Sequence, residues 1–452
     1  MADLTEAEPV DSTWMLVTAL VFGAVNGITH GVWQSFGCVV LIALLGLVAW
    51  RFASGGERGR TNAGSFAAVF VGLATMPVIA LCDPQVITTP SPATWVVRIV
   101  EVATMGLLVT YLPFAKVTSE RARTGRFYVF AMLMVVLGVA ILYLAPAPTI
   151  DVWTIQTRGA EALLEGHNPY VVASVQDTDP ENSFTVPYVY PPSAIYLGVL
   201  GTVMGHDVRW GLLVAIVMTG FALRMIARRG KRLGNPLFED APALAFWLTP
   251  LLARVLQMAW LDPLQIGLIT VGVAAFVGGR KTLAAIVLGV AISSKQSMFW
   301  LVPLAWLVLR LDFRRFVLMG IAAIVPVLPF AIWNVRALKR CTFDFMAGLP
   351  PRHDALSFTN AMWQWFHVDF SGAFGFVLAA VVVGIACVRR RQRSPQAFAM
   401  AAMLAYFVFF FFNRWAFANY YFLLTGLSAL AAATARNFST SPPEKPVVPG
   451  GQ

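Results

Sequence analysis

Apolar segments separated by short polar ones follow each other along most of the chain. A helix that crosses a bilayer needs about 20 mainly apolar residues. Segments that approach this pattern lie at 14–30, 32–50, 66–82, 95–115, 127–145, 208–227, 241–260, 262–279, 283–295, 297–310, 316–333, 371–388, 396–412 and 418–434. The pattern predicts an all-α polytopic membrane protein with about 14 transmembrane helices. The segments that flank Asp262 and Lys295 are short and interrupted, which predicts broken or tilted helices there.

Composition supports this class of protein. Hydrophobic residues make up 58% of the chain and charged residues 12%, with a mean hydropathy of +0.70. Such a chain is too apolar for a soluble globular protein. The four cysteines form no CxxC pair, so neither a disulfide framework nor a zinc site is indicated.

The net charge of +10 lies in short basic clusters between the apolar segments. The clusters occupy 51–60, 116–126, 228–232, 280–281, 310–315 and 389–393. Basic loops of this kind face the cytoplasm, so the charge indicates topology and not nucleic-acid binding. The acidic N-terminus lacks the basic region of a cleaved signal peptide. Both termini are therefore predicted to be cytoplasmic.

This topology divides the chain into transmembrane groups and two large outer loops. The predicted parts are a cytoplasmic N-terminal tail (1–13), N-terminal transmembrane helices (14–145), a first periplasmic loop (146–207), central transmembrane helices (208–333), a second periplasmic loop (334–370), C-terminal transmembrane helices (371–434) and a disordered cytoplasmic tail (435–452). The segment 193–205 is too short to span, which predicts a surface helix or a partial insertion.

The first outer loop contains the longest polar interruption in the chain. A helix is predicted from Val152 to Glu165, with Asp151 as its N-terminal cap and Gly166 at its C-terminal end. Its apolar residues share one side, which is typical of an amphipathic helix lying on a membrane surface. These residues are Val152, Ile155, Leu163 and Leu164. The sequence thus predicts juxtamembrane helices in the outer loops.

Four charged residues are candidates for a functional role, and the two carboxylates among them also have a structural interpretation. Asp151 is a helix cap or a general base at the membrane rim. Asp262 is a cap before Pro263 or a functional carboxylate. Lys295 and Arg254, near the outer ends of apolar segments, suit a phosphate.

Other polar residues have weaker signals. Arg414 is a phosphate-binding candidate or an interfacial anchor, and Glu161 and Glu165 form the wet side of the surface helix. Asp177, Asp179 and Glu181 are solvated loop acids, with a catalytic or metal-binding role as the alternative. The prolines of VPYVYPPS fix an extended, rigid segment that suits a pocket wall. Asn168, Tyr170 and Tyr190 join Asp262 as candidate sugar-binding residues.

The order of these motifs resembles the GT-C superfamily of polyprenyl-phosphate-sugar-dependent glycosyltransferases, especially its bacterial mannosyltransferase-like branch. The motifs are TIDVW, ALLEGHNPY, YPP, WLDPLQIG and AISSKQSMFW, and they cover roughly 140–340. By this resemblance Asp151 matches the catalytic acid, Asp262 an acid or amide near the acceptor site, and Lys295 a basic residue near the donor phosphate. Five segments precede the loop where the family has one, so four extra N-terminal helices are implied.

The resemblance implies transfer of a sugar, mannose-like by the branch, from polyprenyl phosphate to a hydroxyl of a lipid glycan or polysaccharide. The reaction would be an inverting single displacement at the outer face of a bacterial inner membrane. The implied partners are membrane lipids, the donor and the glycan acceptor, with no nucleic acid. No cofactor or metal is required, although dependence on a divalent metal stays open.

A transporter or lipid flippase is the alternative function, because broken helices and buried charges also mark transport sites. The chain shows no internal repeat, which argues against a transporter, and no Walker-type motif for an ATP-driven pump.

Overall fold

The computed structural model describes residues 12–54, 63–83, 92–112, 119–148, 150–176, 185–230, 237–389 and 393–435. The predicted tails, apart from residues 12–13 and 435, lie outside these ranges, as do Asp177, Asp179 and Glu181 and parts of the basic clusters. The described chain is almost entirely helical, with one two-stranded ribbon.

Five helices precede the first large loop, in the places that the apolar pattern predicts. They are α1 (Ser12–Thr29), α2 (Ser35–Ser54), α3 (Ala63–Cys82), α4 (Pro92–Val109) and α5 (Glu120–Leu144). The loop contains α6 (Asp151–Leu164), α7 (Pro169–Val172), strands β1 (Ser174–Gln176) and β2 (Thr185–Pro187), and α8 (Pro192–Gly205).

Thirteen helices follow in the described part of the chain. They are α9 (Arg209–Gly230), α10 (Leu237–Trp247), α11 (Leu252–Gln257), α12 (Asp262–Val277), α13 (Lys281–Ile292), α14 (Leu301–Pro303), α15 (Phe313–Ile324), α16 (Leu328–Lys339), α17 (Phe345–Ala347), α18 (Phe358–Phe366), α19 (Ala373–Val388), α20 (Pro395–Phe411) and α21 (Ala418–Thr434). A 3₁₀ segment, Gln296–Trp300, precedes α14, and π segments at Leu304–Val308 and Arg340–Asp344 follow α14 and α16.

These helices confirm the all-α polytopic membrane class. Among the described residues, five helices are long and apolar enough to cross a membrane, and a sixth span results if α15 and α16, bent by 59°, are counted together. Several shorter apolar helices, including α12, α13, α19 and α20, accompany them. The number of about 14 transmembrane helices stays a prediction.

Two of the predicted segments are broken, and one of them, 241–260, flanks Asp262, where the sequence predicts broken or tilted helices. Segment 241–260 forms α10 and α11, and segment 316–333 forms α15 and the start of α16. A proline lies in each break, Pro250 in the first and Pro326 in the second. Proline lacks an N–H and disfavours the helical conformation of the residue before it, so each break has a local cause.

The first loop folds largely as predicted. Helix α6 covers the expected residues, and Gly166, with a left-handed φ of +78°, ends it. Ile155 is buried on its packed side, but Leu164 is 51% exposed and does not share that side. The capping prediction is wrong, because Ile150 is the N-cap and makes no side-chain capping bond. Asp151 instead occupies the first helical turn.

The short segment 193–205, predicted to be a surface helix or a partial insertion, forms most of α8, a 14-residue helix. At about 1.5 Å per residue it is too short to cross a bilayer, as predicted. It packs against α6 in the loop. Gly159 of α6 also lies close to Tyr188, which follows β2. A Cβ on Gly159 would lie 2.3 Å from the ring of Tyr188, so this packing requires glycine.

The helix ends separate into two faces of the bundle. On one face Arg228 pairs with Glu120, and Arg389 donates to the carbonyl oxygen of Phe52. We call this end, where the described parts of the basic clusters lie, the basic face. The opposite end carries both large loops, and we call it the loop face. There the Trp33 amide donates to the carbonyl of Asp354 at 2.7 Å. Which side of a membrane each face meets stays a prediction.

Candidate functional site

A fully buried arginine fixes the start of the first loop. Arg209, at the beginning of α9, pairs with Asp207 through two hydrogen bonds from Nε at 2.9 and 3.0 Å. One of its terminal nitrogens donates to the carbonyl of Ala145 at 2.9 Å, and the other donates to that of Pro146 at 3.2 Å. The guanidinium thus ties the end of α5 to the beginning of α9. The short segment that leads from α5 into α6 is thereby held in place.

Helix α6 is also tied to the segment that precedes Asp262. The Gln156 side chain is buried and donates to the carbonyl oxygen of Ala259. Ala259 is itself buried and has a left-handed φ of +54°. This conformation is uncommon outside glycine and often marks functional segments. The bond places the beginning of α12 beside the helix that begins with Asp151.

Asp262 and Lys295 form a buried ion pair. Lys295 Nζ lies 2.9 Å from Asp262 Oδ1, and Asn419 Nδ2 donates to Asp262 Oδ2 at 2.9 Å. Asp262 is 0% exposed and Lys295 is 9% exposed. Leu261 is the N-cap of α12 and makes no capping bond, so the structural interpretation of Asp262 as a cap is wrong. Its carboxylate oxygens serve Lys295 and Asn419 instead.

Lys295 lies where a helix is interrupted. It follows the end of α13 and has extended backbone angles, φ −155° and ψ 143°. This break turns its side chain toward α12 and α21, and Nζ lies 4.5 Å from the centre of the Tyr420 ring. The interrupted segment that the sequence predicts around Lys295 is therefore confirmed, and it brings the ammonium group to Asp262.

Tyr190 connects Asp151 to this pair. Burial raises the pKa of the Tyr190 phenol, and the negative charge of Asp151 raises it further, followed by smaller contributions that include Asp262. Both carboxylates therefore oppose deprotonation of the Tyr190 phenol, which stays protonated at neutral pH. We call Asp151, Tyr190, Asp262, Lys295, Asn419 and Tyr420 the acid–lysine cluster. Asp262 and Lys295 form its floor, and the other four residues, all half-buried, form its rim.

Several contacts hold Tyr190 in place. The Tyr170 hydroxyl donates to the Tyr190 carbonyl at 2.7 Å, and Gln296 Nε2 donates to the neighbouring Val189 carbonyl at 2.7 Å. The Tyr170 ring is buried edge-on against Phe330, with ring centres 5.4 Å apart. Asn168 caps α7 by accepting a hydrogen bond from the Tyr170 amide at 3.0 Å. In this structure, Asn168 and Tyr170 thus position the segment that carries Tyr190.

The other two arginines predicted to bind phosphate make their hydrogen bonds away from the acid–lysine cluster, elsewhere on the loop face. Arg254 Nη1 lies 3.0 Å from His30 Nδ1, and the other ring nitrogen of His30 pairs with Asp83. Arg414 Nε donates to the carbonyl of Phe370 at 3.3 Å. The structure thus brings Asp151, Asp262, Lys295 and Tyr190 together, and places Arg254 and Arg414 in separate networks.

Sequence reasoning missed four residues that shape this site: Arg209, Asp207, Asn419 and Tyr420. Asn419 and Tyr420 follow Arg414 in FFNRWAFANYY, where a polar Asn at the start of an apolar segment was the available signal. The connection between α1 and α2 also packs against the segment that carries Asn419 and Tyr420. A Cβ on Gly31 would lie 2.1 Å from the Ala418 amide nitrogen, so this glycine permits the connection to pack beside Asn419.

Comparisons with known proteins find a distant structural likeness. No model of a known protein family matches the chain, and no curated protein does. Among solved structures, the chain is similar to the crystal structure of ArnT from Cupriavidus metallidurans bound to undecaprenyl phosphate, with 16% identity and a TM-score of 0.42. The similarity covers 67% of this chain and 59% of ArnT.

At 16% identity and a TM-score of 0.42, this likeness decides neither the superfamily nor its branch, and both stay predictions from the sequence. At this degree of similarity we transfer neither the activity nor the ligand of ArnT to this chain.

Proposed function

We propose that this protein is an integral-membrane glycosyltransferase of the GT-C type, which uses a sugar on a polyprenyl phosphate as donor. The observation that supports this most is the placement of Asp151 and the Asp262–Lys295 pair around Tyr190. A carboxylate that accepts a proton and a cation that stabilises a departing phosphate are the two groups that this reaction needs.

In the proposed reaction the acceptor hydroxyl transfers its proton to the Asp151 carboxylate while its oxygen attacks the anomeric carbon. The bond from that carbon to the phosphate oxygen breaks, and the phosphate leaves with the electron pair. The result is a single displacement with inversion. Asp151 lies in the first turn of α6, where the helix dipole favours a negative charge. Its ionised form, which a base requires, is therefore supported by its position.

Lys295 is the cation we assign to the donor phosphate. An ammonium group has three donors, so Lys295 can keep its bond to Asp262 and still donate to a phosphate oxygen. Asn419 holds the second oxygen of Asp262, which fixes the orientation of that carboxylate beside Lys295. The neutral Tyr190 phenol offers a further donor at the rim. Holding both substrates in place would contribute on the order of 7–11 kcal/mol to the rate.

The other predicted binding residues receive narrower roles. We propose Asp262 and Tyr190 for sugar recognition, with Tyr170 and Asn168 acting through Tyr190 as positioning residues. Arg254 and Arg414 are proposed as more distant cations on the same face, because their described bonds lead to His30 and Phe370. Such a role would have them steer an anionic donor toward Lys295.

The finer identity of the substrates follows the sequence resemblance. We propose a mannose-like sugar, a lipid glycan or polysaccharide acceptor, and a site on the outer side of a bacterial inner membrane. We propose that the reaction requires no metal, since Lys295 can offset the phosphate charge. A transfer assay with and without a chelator tests this point, and loss of transfer that Mg²⁺ or Mn²⁺ restores would contradict it.

The decisive experiment uses the purified full chain in lipid nanodiscs with a radiolabelled polyprenyl-phosphate sugar and candidate acceptors. Asp151→Asn should lower the transfer rate by about 10²–10⁴-fold, the usual range for a general base. Glu161→Gln is the matched control, because Glu161 is an exposed acid on the same helix, and it should retain full activity. Equal losses in both variants would contradict the assignment.

Transport of a lipid-linked sugar is the second candidate function. The helix interruption at Lys295 and the buried Asp262–Lys295 pair favour it, since such features also occur at transport sites. Movement of the donor across sealed proteoliposomes without any new glycosidic bond would support transport. Formation of a glycosidic bond that depends on Asp151 would support the transferase.

A further inference from the structure

An apolar groove lies toward the basic face, at the other end of α12 from Asp262. It has a volume of about 320 Å³ and runs between α9 and α12, with Leu283 of α13 at one end. Its walls include Met218, Phe221 and Met225 of α9 and Val271 of α12. Met218 and Met225 are 49% and 41% exposed. An exposed apolar wall between two apolar helices indicates that the groove opens toward lipid.

Two arginines lie at one end of this groove. Arg229 comes from the last turn of α9, and Arg280 follows α12. Both are exposed, and neither makes an ion pair with any residue that the structure describes. Arg229 reaches across to α12, because a Cβ on Gly278 would lie 2.5 Å from Arg229 Nη1. The neighbouring Arg228 differs, since it pairs with Glu120 and Glu239.

The groove has the depth of one membrane leaflet. Met218 and Arg229 are eleven residues apart on α9, which corresponds to about 16 Å at 1.5 Å per residue. Half of a hydrocarbon core of about 30 Å is about 15 Å. A chain that begins at the arginines and ends near Met218 would thus reach about the middle of the bilayer.

We propose that this groove binds an anionic phospholipid of the leaflet at the basic face, with one acyl chain along α9 and α12 and its phosphate between Arg229 and Arg280. Arginine recognises phosphate through paired, charge-assisted hydrogen bonds. The apolar wall matches the acyl chain, and the two arginines, which make no ion pair with a described residue, match the headgroup. This lipid site is separate from the acid–lysine cluster, and its assignment does not depend on the proposed glycosyltransferase function.

Arginines at this position also have a simpler explanation. They follow the C-terminal ends of α9 and α12, where a cation interacts favourably with the helix dipole, and basic residues are common on this side of membrane proteins. Neither effect selects one lipid headgroup over another. The simpler explanation therefore predicts no lipid specificity, and this separates the two accounts.

The test is native mass spectrometry of the full chain, freed of lipid in a nonionic detergent. Phosphatidylglycerol and phosphatidylcholine with identical chains are added in turn, and glycerol phosphate serves as a headgroup without chains. We expect one tightly bound phosphatidylglycerol and no comparable phosphatidylcholine. Arg229→Gln and Arg280→Gln should each weaken the binding of phosphatidylglycerol about fivefold, because one basic residue contributes about 1 kcal/mol to the binding of an anionic lipid.

Two further variants complete the design. Arg314→Gln removes an exposed arginine of the basic face that lies outside the groove, and it should leave binding unchanged. Val271→Trp narrows the groove and keeps both arginines, so it should weaken phosphatidylglycerol binding. Equal binding of both lipids, equal effects of Arg229→Gln and Arg314→Gln, or full competition by glycerol phosphate would overturn the proposal.

Discussion

Asp240 and Asp262 are both buried carboxylates with a basic partner, one at each end of the helix bundle. Asp240 is 2% exposed, and its oxygens accept hydrogen bonds from Arg224 Nε at 2.7 Å and the Tyr111 hydroxyl at 2.6 Å. Asp262 is 0% exposed and accepts bonds from Lys295 and Asn419, both at 2.9 Å. The two acids therefore differ little in burial or in the number of their partners.

Their surroundings differ. Asp240 lies within α10 and bonds to Arg224 within α9, and Arg126 of α5 lies 3.9 Å away. The Arg126 guanidinium stacks on Tyr111, with its carbon 3.3 Å from the ring centre. Asp262, in contrast, begins a helix and pairs with a lysine in a helix break. The Asp240 network joins regular helices and suits a structural role.

The rim around Asp262 provides a second difference. Tyr420 is half-buried beside the Asp262–Lys295 pair, and Tyr190, also half-buried, lies near Asp151 and Asp262, so that pair has polar neighbours with partial access to solvent. The comparison shows that a buried ion pair alone does not indicate function. Helix breaks and a polar, partly exposed rim are what distinguish the candidate site here.

The largest expected effect on stability comes from the basic face. Asp240→Asn leaves Arg224 and Arg126 buried without their carboxylate, and breaking a buried pair costs about 3–5 kcal/mol. Denaturation in detergent micelles should show this loss, while the transfer rate per folded molecule should stay the same. Glu239→Gln is the control, because its side chain lies 3.6 Å from the exposed Arg228 and should contribute about 1 kcal/mol or less. Equal losses in both variants would contradict a structural role for Asp240.

The next largest effect is expected at Lys295, where two variants distinguish a role in balancing the charge of Asp262 from a role in the reaction. Lys295→Met should lower transfer by about 10²–10³-fold, as loss of a group that stabilises developing charge does, and should also destabilise the protein because Asp262 loses its cation. The double variant Asp262→Asn, Lys295→Met removes both charges. It should regain most of the stability in a thermal unfolding assay and still fail to use the donor. Recovery of transfer together with stability would show that Lys295 has only a structural role.

The sequence alone predicts the residues that stand out chemically from their apolar surroundings. Asp151, Asp262 and Lys295 were identified in this way, and so was the helix interruption at Lys295. Asn419 and Arg209 were missed, because an asparagine or arginine near a membrane end is common and only the folded chain shows its partners. The break at Pro326 was missed although the proline is a local signal, because the hydrophobic pattern continues across it. The network of Arg254, His30 and Asp83 joins three distant segments and has no local signal.

The smallest effect concerns the positioning of Tyr190. Tyr170→Phe removes the hydroxyl that donates to the Tyr190 carbonyl, and a lost neutral hydrogen bond costs about 0.5–1.5 kcal/mol. We expect a decrease in transfer of about tenfold or less, which steady-state kinetics with varied acceptor concentration would measure. Tyr196→Phe is the control, because the Tyr196 hydroxyl contacts the Pro326 carbonyl only at 3.5 Å and is partly exposed. A larger loss in Tyr196→Phe would contradict this assignment.

The central claim is that Asp151 and Lys295 belong to one reaction site on the loop face. Its most direct test is single-turnover transfer by the wild type, Asp151→Asn, Lys295→Met and the double variant. Residues that act on one transition state are strongly non-additive. We predict that the double variant is no slower than the slower single variant, within about threefold. Multiplication of the two single losses in the double variant would show that the residues act independently and would contradict the claim.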